Sequence, residues 1–232
     1  MATLLVTGGA GFIGVSYALR RLARPVADRP LVWPCDGRIV TAGPFDGGRI
    51  PQVKGNDYEL ADLLGDAGFA AELAGGQQAT IYLAPGDYHR VHSAFEGQVL
   101  GVTAIKGTLF PVNPPAVRCI DQLFVRNSRH VFRCRMANGT PAAIVMVGAY
   151  NVGGTKVTVD QGEIARGQEV GQFGFGSTVV LVADRENHRV QVVTQDGAPV
   201  AQVRRARAHA PPPPPPPPPP TPPPPPPPPP PP

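Results

Sequence analysis

Apolar residues are grouped along most of the chain into short runs, rich in β-branched side chains, that glycine and proline residues separate. Runs of this length and composition are typical of β-strands bounded by turns. They occupy residues 38–42, 79–83, 98–105, 143–148, 155–160, 178–183 and 189–194. Helical periodicity is rarer, and the better candidates are residues 58–65 and 115–125. The pattern predicts a mainly β or α+β fold, a single sandwich-like domain with a few short helices, rather than alternating β-α-β units.

The two ends of the chain differ from the segment between them. Residues 211–232 are proline except for Thr221. A run without amide hydrogens adopts an extended polyproline helix and cannot join a core. The 232 residues therefore divide into an N-terminal segment, 1–23, a folded domain, 24–200, and a basic, proline-rich, disordered tail, 201–232.

The net charge of +4 is modest. There is no long basic stripe with interleaved aromatic residues, so we expect an anionic surface rather than nucleic acid as a partner. No apolar run reaches the ~20 residues of a membrane span, and the opening lacks the basic region of a signal peptide. Phe12, Val15, Leu19 and Leu22, with arginines nearby, are spaced for a short interfacial helix. This spacing predicts peripheral membrane attachment.

The cysteines indicate a reducing compartment. Cys35, Cys119 and Cys134 are too few and too scattered for a disulfide framework or for a metal site of paired cysteines.

The opening sequence, MATLLVTGGAGFIG, resembles the glycine loop of the short-chain dehydrogenases, in which small residues let backbone amides approach a pyrophosphate. A dinucleotide site also needs a second strand that ends in an acidic residue about 20 positions on. Here Pro34 interrupts that region, and Asp36 lies in a turn. The tyrosine and lysine of that family, four residues apart, are also absent. We interpret the loop as non-functional and keep a nicotinamide-dependent oxidoreductase as an alternative.

Three other segments place reactive side chains beside residues that shape the backbone. Asp36 lies in PCDGRI, His89 and His92 lie in YLAPGDYHRVHS, and Gly176 and Ser177 precede an apolar strand in GQEVGQFGFGSTVVLV. Each segment also has an ordinary interpretation, because Asp-Gly and Gly-Ser are common turn pairs. The remaining histidines are too scattered to complete a metal site, so no metal is expected.

Together these segments resemble the phosphatidylserine decarboxylase family. Further stretches follow in the order of that family: RPVADRPLVWPCDGRI, QVKGNDYELADLLG, GTLFPVN, LFVRN and VMVGAYNVG. The resemblance runs from about Arg24 to Val182, and YHRVH and GST are its most specific motifs. Two positions depart from the family, since Ala94 stands where proline is usual and Ser128 where glutamate is common.

The resemblance implies a proenzyme that cuts its own chain between Gly176 and Ser177. Ser177 would attack the Gly176 carbonyl, His92 would act as the base, and Asp36 would orient that base. These residue types suit the task, because a serine hydroxyl is a poor nucleophile until a base takes its proton.

The cut would give a β chain, 1–176, and an α chain, 177–232, and Ser177 would become a covalent pyruvoyl group. By the same resemblance, this ketone forms a Schiff base with the amine of phosphatidylserine and accepts the electrons left when CO₂ departs. The product is phosphatidylethanolamine, and no separate cofactor is needed. His89 would donate the proton that completes the product.

The implied partners are phosphatidylserine and the cytoplasmic side of an anionic membrane. After the cut, the β chain and the α chain are also expected to be partners of one another. The oligomeric state stays open, with a homodimer as one alternative. A third function class is an inactive, proenzyme-like scaffold that presents its proline tail to aromatic-lined grooves.

Overall fold

The computed structural model describes residues 31–53, 56–150, 154–174 and 177–184. The glycine loop, the predicted interfacial helix, the predicted strand 189–194, Gly176 and the proline tail lie outside the described residues.

Short strands dominate the described part of the chain. The strands are β1 (Arg38–Pro44), β2 (Arg49–Val53), β3 (Asn56–Glu59), β4 (Gln77–Leu83), β5 (Arg90–His92), β6 (Gly97–Ile105), β7 (Arg129–Met136), β8 (Pro141–Val147), β9 (Thr155–Val157), β10 (Gly162–Ile164), β11 (Glu169–Phe173) and β12 (Ser177–Ala183). The helices are α1 (Leu60–Leu64), α2 (Ala67–Glu72), α3 (Pro114–Cys119) and α4 (Leu123–Arg126).

The largest sheet is antiparallel and has the strand order β1-β4-β12-β8-β7-β6-β10. Strand β12 has a neighbour on each side, and all of its residues are buried. Its sequence, STVVLVA, carries no charge, which suits a strand covered on both faces. Ser177 pairs with Leu83 of β4, and Thr178 pairs with Val147 of β8. Ser177 therefore begins an interior strand at one end of this sheet.

Two smaller sheets complete the strand pairing. Strands β5, β11 and β9 form one of them, and β2 and β3 form the other. His92 of β5 pairs with Glu169 of β11, so the three-stranded sheet carries the YHRVH motif.

The predicted helix 115–125 is divided into α3 and α4. Asn113 caps α3 by accepting a hydrogen bond of 3.1 Å from the amide of Ala116. The helix stops at Ile120, which has extended dihedral angles, and Gln122 has a φ of 50°. These conformations are incompatible with one continuous helix.

Buried Gln52 stabilises this break from the neighbouring hairpin. Its side-chain amide donates to the carbonyls of Val117 (2.8 Å) and Ile120 (2.7 Å). Its carbonyl oxygen accepts from the amide of Leu123 at 2.7 Å. One side chain therefore satisfies backbone groups at the end of α3 and the start of α4.

The predicted mainly β fold is confirmed. Each predicted strand in the described ranges overlaps with a strand of the structure, and the predicted helix 58–65 contains α1. The structure adds β2, β3, β5, β7, β10, β11 and α2, which the apolar pattern did not predict. Within the described ranges, none of the helices has the length and hydropathy needed to cross a bilayer.

Candidate active site

Ser177 is completely buried at the start of β12. Its hydroxyl donates a hydrogen bond to the backbone carbonyl of Val147 on the neighbouring strand β8. The predicted nucleophile is therefore held in the sheet by its own backbone pairing and by its side chain.

His92 is held by hydrogen bonds at both ring nitrogens. Nδ1 lies 2.8 Å from the carbonyl oxygen of Gly167, which can only accept, so Nδ1 carries a proton. Nε2 lies 3.0 Å from the hydroxyl of Tyr88, which donates to it when the ring is neutral. The Tyr88 and His92 rings also stack, with centroids 5.7 Å apart and planes inclined by 12°. This arrangement makes Nε2 the basic nitrogen of His92.

His89 lies in the turn between β4 and β5. Its Nδ1 is 2.6 Å from the backbone carbonyl of Asp87, so this nitrogen is also the protonated one in the neutral ring. The side chain of Asp87 accepts a hydrogen bond of 2.8 Å from the amide of Ala84 and closes the turn. The turn fixes His89 close to the end of β4.

Asp36 is positioned by the segment before β1. The amide of His92 donates to the carbonyl of Pro34 at 2.7 Å, so this segment lies directly beside β5. The next residue, Gly37, contacts β4: a β-carbon there would lie 2.4 Å from the carbonyl oxygen of Tyr82. Only glycine allows so close an approach, and Asp36 is consequently held between β4 and β5.

The end of β4 brings the three predicted segments together. Its Tyr82 contacts Gly37, and its Leu83 pairs with Ser177. The same strand continues into the turn that carries both histidines. The structure therefore assembles the neighbourhoods of the predicted residues, while their catalytic roles stay predictions.

Charged and phenolic groups surround this neighbourhood. Arg90, between the two histidines, forms an ion pair of 2.5 Å with Glu169, whose backbone pairs with His92. Burial raises the pKa of the Tyr82 hydroxyl, and the negative charge of Asp87 raises it further. Tyr82 consequently remains protonated and is a potential hydrogen-bond donor beside the site.

A family model described as phosphatidylserine decarboxylase matches residues 13–206, which is most of the chain. The chain belongs to the phosphatidylserine decarboxylase family. The resemblance noted in the sequence is confirmed by this match.

Individual relatives in the phosphatidylserine decarboxylase family bear the name phosphatidylserine decarboxylase proenzyme. The protein of Chromobacterium violaceum is 42% identical over 186 residues, which cover 71% of this chain and 66% of the relative. The protein of Anaeromyxobacter sp. strain K is 39% identical over 186 residues, with the same shares of 71% and 66%. The protein of Acidovorax ebreus is 40% identical over 189 residues, which cover 72% of this chain and 66% of the relative. The chain spans just under two thirds of the length of these relatives.

Sequence reasoning did not identify the hydrogen-bond partners that hold His92 and Ser177 in place. Tyr88 and Gly167 hold His92, and Val147 holds Ser177. Tyr88 precedes the histidines in YHRVH, which is a usable signal. The two carbonyl partners have no signal in the sequence, because any residue type carries a backbone carbonyl.

The described ranges contain no cluster of three or more His, Cys, Asp or Glu side chains suited to holding a metal ion. Burial raises the pKa of the Cys134 thiol to about 12. This thiol stays protonated, so it is a poor nucleophile.

Proposed function

We propose that this member of the phosphatidylserine decarboxylase family cuts its own chain and then converts phosphatidylserine to phosphatidylethanolamine and CO₂. The observation that carries the proposal is the pairing of Ser177 with Leu83. It brings the predicted cleavage point to the end of β4, beside Gly37 and the turn of the YHRVH motif. The names of the relatives support the same activity.

In the proposed cleavage, Oγ of Ser177 attacks the carbonyl carbon of Gly176. The peptide C–N bond breaks and leaves an ester, while Nε2 of His92 takes the hydroxyl proton and returns it to the leaving amine. Elimination then removes the Cα proton of Ser177 and breaks its Cβ–Oγ bond, which releases the carboxylate of Gly176. Water hydrolyses the remaining dehydroalanine, ammonia leaves, and a ketone is formed at the start of the α chain.

The surroundings of Ser177 fit a pyruvoyl group of this origin. The group has fewer heavy atoms than the serine residue that it replaces, so a packed interior strand accommodates it without enlargement. When formed, it would supply a ketone that condenses with the substrate amine and accepts the electrons left by CO₂. His89 is proposed to deliver the proton to the product, and because the Asp87 carbonyl holds its Nδ1, this task belongs to Nε2.

We also propose that the end of the sheet that contains Ser177 faces a membrane. Two large apolar side chains are well exposed in the described part of the chain, Leu109 at 44% and Tyr150 at 66%. Leu109 lies against Gly148, and Tyr150 follows two residues later. Both therefore lie just beyond Val147, whose carbonyl holds Ser177. Exposed apolar groups beside a site for a lipid favour peripheral contact there.

The deciding experiment is denaturing electrophoresis with intact-mass measurement on the purified protein. We expect two chains, 1–176 and 177–232, for the unaltered protein and a single chain for Ser177→Ala, because a methyl group cannot attack a carbonyl. Ser128→Ala is the matched control, since it also removes a serine hydroxyl, one that bonds to the backbone of Gly107. Release of CO₂ from phosphatidylserine is measured on the same preparations. An unbroken chain in the unaltered protein would overturn self-processing and favour the scaffold alternative.

A further inference from the structure

A small pocket at the edge of the largest sheet takes no part in the proposed cleavage. It lies between β1, the end of β2 and helix α3, and its volume is about 150 Å³. Its apolar lining is formed by Ile39, Val40, Val53, Val112, Pro114 and Val117. Among the described residues, its polar lining consists of Arg38, Arg118 and Tyr82 and includes no carboxylate.

The two arginines of this pocket are exposed, and no carboxylate of the described residues neutralises their charge. Neither guanidinium forms an ion pair or a hydrogen bond with any residue in the described ranges. Other arginines do: Arg49, Arg90 and Arg135 each pair with a glutamate. Two uncompensated guanidinium groups at one apolar pocket are complementary to an anion that carries an apolar extension.

The pocket lies close to the start of β12. Arg38 pairs with Tyr82 on β4, and Tyr82 pairs with Thr178 on β12. Because neighbouring strands are about 4.8 Å apart, the α-carbons of Arg38 and Thr178 are separated by roughly 10 Å. The backbone of Arg38 is therefore two strand spacings away from the strand that begins with Ser177.

We propose that this pocket binds the phosphodiester and the adjoining glycerol and acyl carbons of an anionic phospholipid, with the phosphate between Arg38 and Arg118. The inference rests on the proposed function, since the phosphate of phosphatidylserine is only a short linker away from the amine that reacts. The pocket is smaller than the ~300–1,000 Å³ that enclose a whole ligand. It therefore holds only the part of the lipid next to the phosphate, and the remaining acyl carbons stay in the bilayer.

The first test compares Arg38→Gln and Arg118→Gln with the unaltered full chain, using preparations in which both chains have been quantified. The substrate is a short-chain phosphatidylserine. Each substitution removes a charge-assisted hydrogen bond to the phosphate, so KM should rise about tenfold with little change in kcat. Arg135→Gln is the control, because Arg135 lies at the end of β7 remote from Val147, where it bonds to exposed Glu72 and to the Gly139 carbonyl. Because Arg38 is only two residues from Asp36, its substitution could also block self-cleavage. Arg118 is distant in sequence from Asp36, so Arg118→Gln tests phosphate binding even if Arg38→Gln is not cleaved. An unchanged KM in Arg118→Gln overturns the proposal.

The second test measures binding without turnover, by calorimetry with short-chain phosphatidylglycerol and, separately, with inorganic phosphate. The lipid has the same phosphodiester but no amine that can react. We expect the lipid to bind, its dissociation constant to rise about tenfold in each variant, and phosphate alone to bind far more weakly. Equal binding of phosphate, or lipid binding that neither variant weakens, overturns the proposal. If the unaltered protein releases no CO₂, the proposed function fails, and calorimetry still decides whether the pocket binds a phospholipid.

Discussion

The hydroxyl of Ser177 and the imidazole of His92 are each hydrogen-bonded to a group that the cleavage chemistry does not use. Ser177 donates to the Val147 carbonyl, and Tyr88 bonds to Nε2 of His92. The proposed attack requires both bonds to be exchanged, so that the serine hydroxyl faces Nε2. Ser177 acquires its present neighbours only when β12 pairs with β4 and β8, and folding of the sheet therefore precedes cleavage.

Substitution of Asp36 tests whether its carboxylate or the Gly167 carbonyl orients His92 for cleavage. The Gly167 carbonyl already bonds to Nδ1 of the ring, but a neutral carbonyl stabilises an imidazolium less than a carboxylate does. We expect Asp36→Asn to slow cleavage by a factor of about 10² to 10⁴, measured as the rate of appearance of the α chain. Asp57→Asn is the control, because Asp57 is an exposed residue of β3. Cleavage at the parent rate would mean that the Gly167 carbonyl alone is sufficient.

The two histidines should be separable by the step that each one serves. His89→Ala keeps Ser177 and His92, so we expect complete cleavage into two chains. Loss of the proton donor should then lower CO₂ release by a factor of about 10² to 10⁴. Chain mass and CO₂ release are measured on one preparation. A variant that is cleaved and fully active would exclude His89 as the acid, and the ring would then serve only the turn that it forms with Asp87.

At the scale of elements, the sequence predicts strands whose apolar residues are contiguous and misses strands in which charged or polar residues interrupt the apolar run. The interior strands β8 and β12 are continuous apolar runs and were predicted. Strand β7, RHVFRCRM, was missed because charges break its apolar run. In the fold, Arg133 reaches Asp66, and buried Arg129 donates to the backbone carbonyls of Asp62 and Leu63. Such partners come from other elements, so a local pattern cannot reveal them.

In the candidate site too, the sequence reveals which residues are present but not which contacts position them. Its candidate reactive residues, Asp36, the two histidines and Ser177, are recognisable because they lie in specific motifs. The contacts that position them depend on which strands become neighbours: Gly37 against β4 and Gly167 beside His92 are set by the tertiary fold. The sequence therefore indicates candidate reactive groups, whose roles stay predictions, and leaves their geometry undetermined.

The break between α3 and α4 depends on a single buried amide. Gln52→Leu removes three hydrogen bonds and leaves the backbone groups of Val117, Ile120 and Leu123 without them. Because each unsatisfied buried group costs about 1–3 kcal/mol, we expect the free energy of unfolding to fall by about 3 kcal/mol or more. Urea denaturation in the Ser177→Ala background measures this without interference from cleavage. Gln98→Leu, at an exposed position of β6, is the control, and an equal effect of both substitutions would contradict this role for Gln52.

For the whole molecule, the largest sheet predicts that the two products of cleavage stay together. Strand β12 pairs with β4 and β8 along its length, so removal of the α chain would break both ladders and expose the core. We expect both chains to elute in one peak of native size-exclusion chromatography, at the volume of uncut Ser177→Ala, and to separate only in denaturant. An α chain that elutes separately without denaturant would contradict this pairing after the cut.

The interior position of β12 also determines what an unfolded, processed molecule does next. Residues 177–183 form an uncharged, proline-free segment of high β propensity, which is the composition of segments that stack into amyloid. In the uncut chain, a covalent tether returns this segment to its own sheet faster than it meets another molecule. After the cut, its own sheet becomes one binding partner among many, and other copies of the segment compete for it as the concentration rises. We therefore expect thermal inactivation of the processed protein to be irreversible and concentration-dependent, and the uncut Ser177→Ala protein to regain its fold on cooling.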